Sequence, residues 1–145
     1  VATMFSIGNA ATFGNWCVSG RLDQHPKLKI GLIESGAGWV PFAVEALEHQ
    51  FNEMLPRFSK TLSRRPKEYF QDHFWCTFWF EKVAPKILLE TIGEDKLMFE
   101  TDFPHPTSLY PGVQAHIMDT LGGYDRTIQK KVLQDNAVRF YNLPF

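Results

Sequence analysis

The chain has 145 residues, one domain or a piece of one, and its 44% hydrophobic and 21% charged residues are an ordinary globular mixture able to fill a core. A formal net charge of −1 gives no global attraction to nucleic acid or to an anionic membrane, and no apolar run nears the ~20 residues that span a bilayer. The two lone cysteines, Cys17 and Cys76, make neither a CxxC pair nor a metal spacing, and they fit a reducing, cytoplasmic compartment better than a disulfide framework.

At the amino end, no basic region precedes an apolar stretch, so no signal peptide is expected. The first residue is Val1 rather than Met, which points to a processed, trimmed or incomplete chain. Ile7, Ala10, Ala11, Phe13, Cys17 and Leu22 form a rough helical stripe weakened by Gly8, Gly14 and Gly20, and the sequence predicts a helix from about Ala10 to Asp23, stopped by His25-Pro26. Lys29 to Ile33 is an apolar run of strand length. It ends in Glu34-Ser35-Gly36-Ala37-Gly38, a flexible turn that follows a carboxylate. Val40, Val44, Leu47, Phe51 and Met54 recur at steps of four and three, the clearest amphipathic helix in the chain, from about Val40 to Leu55. Pro56 to Pro66 reads as a loop carrying Arg57, Lys60, Arg64 and Arg65. Such a loop can grip phosphates, but acidic helices nearby balance it, and a solvated connection is the favoured reading.

His73 to Phe80 is a second strand, dense in aromatic side chains and closed by Glu81. Its rings either line a pocket for a planar substrate or fill the interior, the latter favoured. Lys86 to Ile92 is a short helix, with Pro85 near its start and Gly93 as its stop. Leu97-Met98-Phe99 is a third strand, and Glu100, Thr101, Asp102, Pro104, His105 and Pro106 end it abruptly. Asp102 is then a metal ligand, a general base, a helix N-cap or the start of an Asx-turn. A helix carrying Val113, Ile117 and Leu121 follows. Asp125 is placed to N-cap the last one, whose inner side holds Ile128, Val132, Leu133, Ala137 and Phe140.

Strands alternating with helices predict an α/β fold with a parallel sheet and right-handed crossovers. The strand ends then face one rim and bring Glu34, Asp102 and, after the aromatic strand, Glu81 toward it. There is no GxGxxG, P-loop or GxSxG elbow.

Three segments in this order, Lys27–Phe42 (KLKIGLIESGAGWVPF), Asp95–Pro106 (DKLMFETDFPHP) and Lys130–Leu143 (KKVLQDNAVRFYNL), closely resemble the carboxyl-terminal half of the amidohydrolase-related (amidohydrolase 2) family. The resemblance is to the branch of aminocarboxymuconate semialdehyde decarboxylase-like and benzoate-type metal-dependent decarboxylases. It implies a (β/α)8 TIM-type barrel with a divalent metal, zinc first and manganese second, at the carboxyl face. By the same resemblance Asp102 is the last-strand metal ligand. Glu34 stands where many members carry an acid/base His, and it is either a proton-exchanging group or a structural carboxylate. Trp39 and His105 resemble pocket-lining, substrate-binding positions.

The family's His-x-His motif is absent, and the five histidines are scattered. A whole barrel needs ~250 residues. Residues 1–145 are therefore expected to be strands six to eight with their helices, about three parallel strands of a hydrolase or carboxy-lyase acting on small carboxylated or cyclic substrates. Alone, such a piece is expected to be inactive, to bind metal weakly and to self-associate as a homo-oligomer through its open edges and uncovered inner face. The competing expectation is a non-catalytic binding or interaction module derived from half a barrel.

Overall fold

The computed structural model describes residues 2–58 and 60–144. Its centre is a parallel sheet of three strands in the order β1-β2-β3: β1 (Ile30–Leu32), β2 (Phe74–Phe78) and β3 (Leu97–Phe99). Leu32 pairs with Cys76, and Cys76 with Leu97. The alternation of apolar strand and helix expected from the sequence is therefore realised, and all three strands point their carboxyl ends the same way.

Helices α1 (Ala2–Val18), α2 (Arg21–Gln24) and α3 (Val40–Glu53) come from the first third of the chain. The helix expected from about Ala10 begins eight residues earlier and is broken at Gly20, whose φ of +71° is cheap only for glycine. A short turn, α4 (Leu55–Phe58), leads to α5 (Pro66–His73), where no helix is expected from the sequence. Pro66 opens α5 as a first-turn residue, the Glu68 carboxylate accepts the Arg65 N–H at 2.7 Å, and Tyr69, Phe70 and His73 make its buried stripe. His73 thus ends a helix rather than starting a strand. It is 1% exposed and its Nδ1 lies 2.8 Å from the Leu28 carbonyl oxygen.

Two of the loop's four basic residues are paired: Arg64 bridges Asp72, and Arg65 Nε donates to Glu48 at 2.8 Å. Beyond β2 come α6 (Ala84–Thr91), α7 (Val113–Leu121) and a last helix built from α8 (Arg126–Lys130), a π-helical segment Lys131–Asp135 and α9 (Asn136–Tyr141). Asp125 caps α8 as expected, accepting from Thr127 N at 2.8 Å and Ile128 N at 3.0 Å. No helix among the described residues is long and apolar enough to cross a membrane.

Alternation along the strands splits the aromatic run in two. Phe74, Cys76 and Phe78 face the helices. Phe13 of α1 meets Phe74 edge-on at 4.9 Å and Phe70 at 5.7 Å, and this ring cluster is the heart of the core. Trp75 and Thr77 face the other way, yet they too are buried. The expectation of an uncovered inner face is corrected here. Phe140 of α9 packs on Trp75 at 5.4 Å and lies so close to Gly31 that a Cβ there would stand 2.8 Å from its ring. Buried Asn136 anchors that helix, its amide donating to the carbonyl oxygens of Glu94 at 2.6 Å and Leu97 at 2.8 Å. The last helix thereby closes the amino-end half of this face and leaves the carboxyl-end half toward the rim.

Candidate metal centre

Glu34 and Asp102 leave β1 and β3 at the shared carboxyl rim, and both do so in the left-handed region, at φ +55° and +59°. Such a conformation is uncommon for residues other than glycine, and it turns each chain sharply at the strand end. The Asp102 carboxylate is tied down twice. His105 Nδ1 lies 2.6 Å from Oδ1, and the Thr107 hydroxyl donates to Oδ2 at 2.8 Å. The Asp102 side chain is 6% exposed, against 61% for His105. Of the alternatives left by the sequence, a cap for the next helix is excluded, since α7 begins only at Val113.

His105 Nδ1 also stands 3.8 Å from Glu34 Oε1. Oxygens of Glu34 and Asp102 and a nitrogen of His105 all lie within 4.8 Å of one another. The structure therefore brings three of the four sequence-predicted site residues together. Trp39 sits apart, at the start of α3, with its ring 6.3 Å from Phe13. The aromatic wall of the rim comes instead from Phe5, Trp79 and Phe80, which with Ala2, Glu34, Asp102 and Thr107 line a cleft of about 280 Å³.

Glu81 does not join the cluster. Its carboxylate turns back to accept the N–H groups of Ala37 at 3.0 Å and Gly38 at 2.9 Å, in the loop after Glu34. Burial pushes its pKa up, and those two N–H groups partly offset this. Glu100, beside the rim, was not singled out by the sequence. Burial raises its carboxyl pKa, offset by the Thr77 hydroxyl and the Glu34 N–H and reinforced by the charges of Asp102 and Glu34. Its Oε1 is buried with no hydrogen-bond partner.

Hydrogen bonds from Thr107 and His105 hold the Asp102 pKa below its usual 3.8. The bond to Asp102, its charge and that of Glu34 hold His105 above its usual 6.5. The depressed acid contributes stability above about pH 3.8 and loses it as pH falls through its lowered value. The raised imidazole contributes below about pH 6.5 and loses it as pH rises through its elevated value. Their pairing is therefore firmest between these limits. In the cation-free chain, proton NMR of the His105 ring is expected to titrate above pH 6.5, and Asp102→Asn to bring the midpoint back toward that value. A parent midpoint at or below 6.5 would contradict the pairing.

Residues 8–143 match the model of the Amidohydrolase family, and the chain belongs to that family. It is 27% identical over 125 residues to 2-amino-3-carboxymuconate-6-semialdehyde decarboxylase of Dictyostelium discoideum, covering 86% of this chain and 34% of that protein. Among solved structures, an amidohydrolase from Mycobacterium avium subsp. paratuberculosis K-10 superposes with a TM-score of 0.79 at 24% identity, over 93% of this chain and 33% of that one. A dihydroxybenzoic acid decarboxylase from Polaromonas sp. JS666, solved with bound manganese and the inhibitor 2-nitroresorcinol, gives 0.71 at 22% identity, over 95% of this chain and 40% of that one. The chain spans about a third of the length of the curated relative it matches.

Proposed function

We propose that this chain supplies strands six to eight of a (β/α)8 barrel in a metal-dependent decarboxylase acting on small, planar carboxylated substrates. The observation that carries the reading is the convergence of Glu34, Asp102 and His105 within 4.8 Å at one rim, beside an aromatic cleft. The setting suits a divalent cation: the carboxylates of Asp102 and Glu34 offer hard oxygens. Manganese in the Polaromonas relative supports a divalent ion, with zinc the other candidate. The remaining ligands belong to the earlier strands of the barrel.

When bound, the cation would hold a substrate oxygen and offset negative charge as carbon dioxide leaves. Asp102 is the last-strand ligand, Thr107 and His105 fix its carboxylate in place, as outer-shell partners of metal ligands do, and the Glu34 carboxylate faces the same cation and adds to its affinity. Glu34, 42% exposed in its side chain, is placed to exchange the proton that replaces the lost carboxylate. Trp79, Phe80 and Phe5 offer faces and edges on which a planar ring packs.

Stripping the complete protein with a chelator is expected to abolish carbon dioxide release from aromatic carboxylates, and manganese or zinc to restore it. Full activity after removal of every metal would overturn the reading. Release of ammonia or of a hydrolysed product, with no carbon dioxide, would move it to the hydrolase branch.

A further inference from the structure

Glu34 is a charged residue in a left-handed conformation, and such an outlier persists only where its surroundings over-determine it. Two groups on β2 and the turn after it do so. Thr77 is the one polar side chain within β2 and is 4% exposed; its hydroxyl accepts the Glu34 N–H at 3.2 Å. Glu81 binds the N–H groups of Ala37 and Gly38 at 3.0 and 2.9 Å. It packs so tightly on Gly36, itself at φ +67°, that a Cβ there would lie 3.0 Å from the carboxylate. The two contacts fall on either side of the bend at Glu34–Gly36. From the opposite flank, Ser6 and Asn9 of α1 bond the carbonyl oxygens of Ser35 and Ile33.

We propose that Thr77 and Glu81 are positioning residues, a two-point clamp that fixes the backbone of Glu34 and so aims its carboxylate at Asp102 and His105. The inference rests on the metal-dependent reading above and adds to it the means by which Glu34 is set. Neither residue touches the reacting atoms; both act through the 34–38 loop.

Thr77→Val, Thr77→Ser and Glu81→Gln in the complete protein separate this role from plain stability. The readouts are amide hydrogen exchange at residues 34–38 and calorimetric titration with manganese. Thr77→Val is expected to raise exchange at Glu34 at least about tenfold and to weaken manganese binding about 10–100-fold, and Thr77→Ser to restore both. Glu81→Gln is expected to raise exchange at Ala37 and Gly38 and to weaken binding in the same direction; if Thr77→Val fails to fold, this variant carries the test. Unchanged exchange would overturn the clamp whatever the metal does. Raised exchange with unchanged affinity would overturn it too, since the loop would then be held without being aimed. If Asp102→Asn loses binding while Thr77→Val keeps it, the clamp fails and the metal reading stands; if the unsubstituted protein binds no divalent cation, both fall.

Discussion

Replacing Asp102 by Asn in the complete protein is expected to lower turnover by at least about 100-fold and to strip the bound metal. Changing a group that only supports a ligand already costs ~10–100-fold in affinity or activity, and Asp102 is proposed to be a ligand itself. Asn keeps the size of the side chain and one acceptor oxygen, so the Thr107 or the His105 contact can survive, but the charge is gone. Steady-state turnover together with metal content by mass spectrometry reads the effect. A variant that retained both metal and turnover would remove Asp102 from the site. A variant that kept its metal and lost turnover would make Asp102 a group of the reaction rather than a ligand.

The second large effect concerns the core. Phe13→Ala is expected to destabilise the fold by about 3–5 kcal/mol, the usual range for emptying the space of a buried phenylalanine. Phe13 is 0% exposed and its ring is shared by Phe70, Phe74 and Trp39, which brings α5, β2 and the start of α3 together on α1. Domains of this kind are stable by only ~5–15 kcal/mol, so the variant is expected to unfold at markedly lower denaturant in a urea titration. A midpoint shift worth less than about 1 kcal/mol would mean that the site collapses around the missing ring and that the cluster is not the anchor of the helical layer.

The strands were legible because each is an apolar run with an abrupt polar end, and those ends gave the rim. Glu34 and Asp102 follow the last strand residues by two and three positions, so the parallel direction of β1 and β3 was enough to bring them to one side. His105 was legible for a local reason: three residues beyond Asp102 and between two prolines, it has little freedom to leave. Helix α5 was hidden because Pro66 reads equally as the end of a basic loop and as a first helical residue. Its buried stripe of three residues is too short to show a period. The early start of α1 was hidden because Gly8 weakens the apolar stripe at its amino end, although Ile7 lies on it.

Glu81 was seen as a carboxylate but not as a clamp. Its direction depends on the backbone of Gly36 to Gly38, which residue type leaves free. Thr77 carried a signal that went unused: a lone hydroxyl inside the aromatic run Phe74–Phe78 must find a hydrogen-bond partner when buried. The cover that Phe140 gives to Trp75 was out of reach, since residues 65 apart meet there only through the path of the last helix.

The most direct test of the account is the position of the metal. Crystals of the complete protein grown with manganese, with data recorded at the manganese absorption edge, are predicted to show one anomalous peak at the rim, within coordination distance of an Asp102 carboxylate oxygen and facing Glu34 and His105. A peak elsewhere in the barrel, or none at saturating manganese, would contradict it.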